Sequence, residues 1–162
     1  MNKKMMIIML ITVLSVIITA CSGNNAPKVE SKLTAKEMAD QMFKVVEQPK
    51  LMELSTQEEV KTFYTLDVAK LEDYEIRVPL MNVQTNELAI LKVKDAKDIA
   101  EVEAALKARA EVVQKQFETY LPDQYENAKN YKLITKGNYV MMVISDKADD
   151  LVKVYEGFFE EK

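Results

Sequence analysis

The residues that could do chemistry in this chain are few. There is no His among 162 residues and a single Cys, Cys21. A Ser or Thr nucleophile needs a base, and without imidazole only Lys or a carboxylate could serve. Neither a Gly-x-Ser-x-Gly elbow nor a Ser-x-x-Lys with its supporting motifs is present. Ser31 with Lys32 lies in a polar stretch, and Ser145 leads into a helical pattern as a cap neighbour. Zinc and redox-active iron sites want His and Cys ligands, and no Asp-x-Asp-x-Asp-Gly calcium loop occurs. The paired acids Glu58 with Glu59, Asp149 with Asp150 and Glu160 with Glu161 are sequence neighbours, which point ~100° apart on a helix and read as solvated faces. No catalytic residue, metal site or cofactor is therefore expected. The ten Met raise the question of a soft-metal binder. Four of them fall in the first nine residues, while Met38 and Met42 share an apolar stripe and Met141 and Met142 fall in an apolar run, which favours packing. Tyr120, Tyr139 and Tyr155 are likewise expected to face the core.

The lone thiol has a setting of its own. Lys3 and Lys4 precede an apolar run over residues 5–18, broken only by Thr12 and Ser15, and the run closes on Ile18, Thr19, Ala20 and Cys21. An apolar stretch of ~14 residues is shorter than the ~20 that span a bilayer, so a secretory signal outranks a membrane helix. The closing quartet resembles the lipobox of bacterial lipoproteins, in which the Cys accepts a diacylglyceryl group through sulfur and becomes the first residue of the mature chain. The alternative is an ordinary signal peptide whose Cys is incidental. With lipidation, residues 1–20 form the signal, residues 21–33 the acylated Cys and a flexible linker, and residues 34–162 one folded domain. Two acyl chains make anchoring stable where one is reversible, with ~0.8 kcal/mol per buried methylene. The expected location is the outer face of a bacterial cytoplasmic membrane.

Loss of residues 1–20, with two of the 22 basic groups against 26 acidic ones, leaves 142 residues and moves the formal charge from −4 to −6. A mildly acidic domain lacks the basic face that nucleic acid demands and the polybasic patch that holds anionic headgroups, so contact with the membrane is expected through the lipid alone. The linker of twelve residues after Cys21 spans at most ~40 Å, which keeps the domain near the bilayer.

The elements that must position any site come next. Thr34 with Glu37, Ser55 with Glu58, Asp95 with Asp98 and Asp146 with Asp149 each set a capping oxygen three positions ahead of an acid, a helix-start pattern. The stripe Ile99, Val102, Leu106, Ala110, Val113, Phe117 and Tyr120 predicts a long helix ending before Pro122. Met38, Met42, Val45 and Val46 mark a first helix, and Leu151, Val154, Tyr155 and Phe158 a last one. Strand character runs over residues 75–80, 88–93, 132–135 and 139–144, with Gly137 and Asn138 turning a hairpin. Residues 88–93 and 139–144 are almost continuously apolar, the mark of strands that are central or covered on both faces. The order helix, helix, strand, strand, helix, strand, strand, helix suggests an α+β fold with a four-stranded antiparallel sheet and helices packed on one face.

One loop resists a purely architectural reading. Met81, Asn82, Val83, Gln84, Thr85, Asn86 and Glu87 join the first two predicted strands with amides and no Gly, which a tight turn would prefer. Met81, Asn82, Gln84, Asn86 and Glu87 are the candidate binding residues, since loops on rigid sheets tend to carry binding groups. The competing reading is a long hairpin whose amides cap its own backbone.

Residues 79–83, Asn86 and Glu87, residues 88–94, the long helix, residues 120–125 and the run Lys136, Gly137, Asn138, Tyr139, Val140 together resemble the bacterial domain-of-unknown-function family 4358, over residues 34–145. Its members are often predicted lipoproteins of Gram-positive bacteria. The resemblance implies an unassigned biochemical role, agrees with a lipid anchor and supplies no site. Two functions stay open: a non-catalytic module binding an envelope protein or wall component, and a small hydrolase of envelope polymers using carboxylates or Lys. The second requires two acids from separate elements to converge in a pocket.

Overall fold

A computed structural model describes residues 29–159. The expected signal, Ile18, Thr19, Ala20 and Cys21 lie outside the described residues, as do residues 160–162. In chain order the elements are α1 (Ala35–Val45), β1 (Leu51–Glu53), α2 (Gln57–Tyr64), β2 (Leu71–Pro79), β3 (Glu87–Val93), α3 (Ile99–Phe117), α4 (Pro122–Lys129), β4 (Lys132–Lys136), β5 (Tyr139–Ile144) and α5 (Ala148–Glu156). Short 3₁₀ turns precede β2 and α3 and follow α5. The five strands form one antiparallel sheet in the order β1-β2-β3-β5-β4. Among the described residues no helix is long and apolar enough to cross a membrane.

The α+β class and the antiparallel sheet agree with the sequence; the strand number and the helix placement do not. A fifth strand, β1, is only three residues long and pairs with the end of β2, Leu51 opposite Pro79. So short a segment has no periodicity to read. An additional helix, α4, buries only Ala128 and so lacks an apolar stripe. The helices cover both faces of the sheet. Ala89, Leu91, Val93, Val140, Met142 and Ile144 pack in a core with α2 and α3, while Leu88, Ile90, Tyr139, Met141 and Val143 pack in a second core with α1 and α5. The cause is the strand composition itself. Successive side chains point to opposite faces, so a strand apolar at every position needs cover on both, and β5 is buried throughout. Met141 and Met142 accordingly belong to opposite cores.

The helix starts follow the capping grammar with local shifts. Thr34 and Glu37 form the capping box of α1, and the Asp73 carboxylate accepts a further bond from the Ala35 N–H at 2.7 Å. For α2 the box is Thr56 with Glu59, one residue later than Ser55 with Glu58. Asp95 caps the 3₁₀ turn that leads into α3. Asp146 does not cap α5; the Ser145 hydroxyl accepts from the Lys147 N–H at 3.0 Å instead. Val45, expected in the first stripe, is 69% exposed.

Residues 29–33, expected to belong to a flexible linker, lie against the far end of the β3–β5 pair. Glu30 reaches Lys92 and the Tyr139 hydroxyl, both at 3.1 Å. Gly137 in the β4–β5 turn has φ +58, and a Cβ there would lie 2.9 Å from the Val29 Cβ. Only glycine gives this turn both its left-handed backbone and room for the strap.

Candidate functional site

The loop between β2 and β3 divides into two halves with different tasks. Its second half is fastened inward. Thr85 is buried, its N–H donating to Gln124 Oε1 at 3.0 Å, with its hydroxyl 3.1 Å from the same oxygen. Gln124 stands in the first turn of α4, which Pro122 opens at a position where its missing N–H is no loss. Asn86 is also buried, and its Nδ2 donates to Gln48 Oε1 at 3.2 Å beside Ser145. Of the five candidate residues, Asn86 is thus a fastener.

Glu87, the first residue of β3, is 1% exposed and forms the floor of a cavity. Arg109 of α3 grips it as a fork, Nε donating to Oε1 at 2.8 Å and Nη2 to Oε2 at 2.7 Å. The Tyr64 hydroxyl, from the last turn of α2, donates to the same Oε1. Arg109 is held in plane between these partners and the Phe63 ring, whose centroid lies 5.1 Å from its guanidinium carbon. Burial, then the Glu87 charge, pushes the Tyr64 hydroxyl well above the usual tyrosine range, so it acts as a neutral donor. Burial works against the Arg109 charge, but the hydrogen bond and charge of Glu87, together with Tyr64, outweigh it and raise its pKa.

The first half of the loop forms the wall above this floor. Met81, Asn82 and Gln84 line a cavity of about 430 Å³ together with Phe117 and Tyr120 at the end of α3. A bond from the Gln84 N–H to the Met81 carbonyl, 3.3 Å, sets the bend. Leu80 is 51%, Met81 57% and Tyr120 54% exposed. Tyr120 was expected to extend the core-facing stripe; α3 ends at Phe117, so Tyr120 escapes the helical register and turns to the rim, 6.4 Å from the Phe117 ring. Tyr139 and Tyr155 are buried.

The structure thus brings Met81, Asn82, Gln84 and Glu87 together. The sequence reading missed Tyr64 and Arg109. A signal for Arg109 existed: it stands three residues after Leu106 and four before Val113, so a charge borders the buried stripe of α3. A second, more open depression between the ends of α1 and α5 is bordered by Glu47, Lys147, Asp150 and Lys153, the last two paired at 3.1 Å. Among the described residues no group of three or more acids and thiols is arranged to hold a metal ion.

The profile of DUF4358, a domain of unknown function, matches residues 44–145, which includes both halves of the loop, the Glu87–Arg109 pair and Tyr64. The chain belongs to the DUF4358 family. No curated protein and no solved structure matches it. In this DUF4358 domain the matched segment begins within α1 and ends just past β5, so α1 and α5, which cover one sheet face, lie largely outside it.

Proposed function

We propose that this chain is a lipid-anchored, extracytoplasmic binding module of a bacterial cell envelope, attached through Cys21, and that it holds an envelope protein or wall component in the groove between residues 80–84 and the end of α3. One observation carries the reading: apolar side chains stand exposed around a floor whose ionic groups are already paired. Leu80, Met81 and Tyr120 are each more than half exposed around the groove, an arrangement typical of interaction sites. Among the described residues the only carboxylate lining the groove is Glu87, and both its oxygens accept hydrogen bonds. A carboxylate hydrolase would need a second acid there to share the proton transfers, and the groove lining contains none. This favours binding over hydrolysis.

The test is a comparison of crosslinked partners captured from intact membranes by the natural chain and by the double variant Met81→Ala, Tyr120→Ala. Both positions are exposed, so the fold is expected to survive, and the partner signal is expected to fall at least tenfold. Identical captures would remove the groove from the proposal. Mass spectrometry of the mature N-terminus checks the anchor: a diacylglyceryl adduct on Cys21 is expected, and secreted protein with an unmodified Cys21 would refute it.

A further inference from the structure

We infer that the groove takes an uncharged, extended peptide segment of a partner protein, with a bulky apolar side chain inserted towards Phe117 and Val113. The inference rests on the binding reading above and adds the chemistry of the occupant.

Charge decides the first step. Among the described residues Glu87 and Arg109 are the only charged ones lining the cavity, and they neutralise each other at 2.7 Å. A charged ligand would lose its hydration without meeting a net opposite charge, which is costly in a partly buried site. Polyanionic wall polymers and acidic peptides are disfavoured on this ground.

Hydrogen-bonding capacity decides the second. A guanidinium has five N–H donors, and Arg109 directs Nε and Nη2 at Glu87. Arg109 also interacts with the Tyr64 hydroxyl, and its side chain lines the cavity with more donors than Glu87 and Tyr64 take up. The donors left over suit a neutral carbonyl oxygen. Asn82, Gln84 and Gln116 line the same cavity, and their side chains make no hydrogen bond with the described residues. Each amide offers a donor and an acceptor, which matches the alternating C=O and N–H of an extended backbone. A plain acyl chain would leave these amides unused, at a cost for every one it desolvated.

Shape decides the third. Val78, Val113 and Phe117 are buried in the core and also form the inner wall, and Tyr120 and Met81 stand at the rim. About 430 Å³ falls within the range of specific pockets. An apolar anchor surrounded by amides at the edge is the arrangement that lets a side chain supply affinity and a backbone supply register.

The experiment uses the lipidated protein in phospholipid nanodiscs, with its side-chain amides observed by NMR. Five probes are titrated: the capped pentapeptides Ala-Ala-Phe-Ala-Ala and Ala-Ala-Leu-Ala-Ala, the capped peptide Glu-Glu-Phe-Glu-Glu, chitotriose, and decanoic acid. At least one neutral peptide is expected to shift the amide signals of Asn82, Gln84 and Gln116 saturably, with the acidic peptide at least tenfold weaker. Tyr120→Ala is expected to weaken the neutral peptide about fivefold with an unchanged Tm, and Arg109→Lys to weaken it through loss of the planar donors. Saturation by chitotriose or decanoic acid in place of the neutral peptides would overturn the peptide assignment and leave the groove as a binding site. Silence of all three amides towards every probe would overturn it too, and the crosslinking comparison would then decide separately whether the groove binds anything.

Discussion

Glu87 contributes little through its own charge; its partners decide its role. Removing Arg109 leaves a carboxylate 1% exposed with one remaining neutral donor, Tyr64. Breaking a buried pair in this way costs about 3–5 kcal/mol. Tyr64→Phe removes one of three bonds and leaves the Arg109 fork intact, so about 1–2 kcal/mol is expected. Chemical denaturation of Arg109→Leu and Tyr64→Phe measures both, and a larger loss for Tyr64→Phe would contradict this hierarchy. Thr65 gives a prediction of the opposite sign. It ends α2 with φ 54, a left-handed backbone that costs a β-branched residue about 1 kcal/mol. Thr65→Gly is expected to raise stability by about 0.5 kcal/mol once the added freedom of the unfolded chain is subtracted, read from the urea midpoint. At this scale the sequence singled out the loop between β2 and β3 but not how it divides. Asn86 and Thr85 become fasteners only because Gln48, Ser145 and Gln124 arrive from 38, 59 and 39 positions away. No local pattern encodes such meetings, and the same holds for Glu87 with Tyr64 and Arg109.

Between residue and molecule, the helix caps carry a pH signature. Hydrogen bonds from Thr56, first its backbone N–H and then its hydroxyl, hold the Glu59 carboxyl below the usual carboxylate range. A pKa lowered on folding contributes stability above the ordinary value and loses it as pH falls through the folded one. Glu59→Gln is therefore expected to lower Tm at pH 7, and the gap to the natural chain should close as pH drops below about 4. A gap that persists at pH 2.5 would mean that the box acts through packing and not through charge. Glu75 behaves in the opposite sense: burial beneath α1 raises its pKa although Arg77 donates to it at 2.7 Å. The helix starts were legible because a cap and its acid are three residues apart. The second box slid by one residue because Ser55 and Thr56 both satisfy the pattern and only the backbone decides between them; Glu59 in fact accepts from both backbone N–H groups. The two-faced cover of the sheet was already written in residues 88–93 and 139–144. The expectation of helices on one face followed element order and did not carry through the reading of those two strands as central or covered on both faces.

For the whole molecule, the strap over residues 29–33 depends on Gly137. Gly137→Ala would force a left-handed φ on alanine and drive its Cβ to 2.9 Å from the Val29 Cβ. About 1–2 kcal/mol of stability should be lost, and limited proteolysis should cut ahead of Thr34 faster than in the natural chain. Equal cutting rates would mean that the strap is held by its other contacts, Glu30 with Lys92 and Tyr139 and Leu33 on the core. The strap also gives the molecule a direction. It meets the sheet beside Lys92 and Tyr139, whereas the groove opens beside Glu87, which pairs with Ile144 at the other end of the same strands. Seven residues of β3 separate the two by about 20 Å at ~3.4 Å per residue. With the proposed anchor at Cys21, the eight residues 21–28 reach no more than about 28 Å when fully stretched. Under the proposed anchor the sheet would act as a spar, setting the groove about 20 Å further from the point of attachment than the strap is, an offset that the tether could cancel only by folding back along the domain.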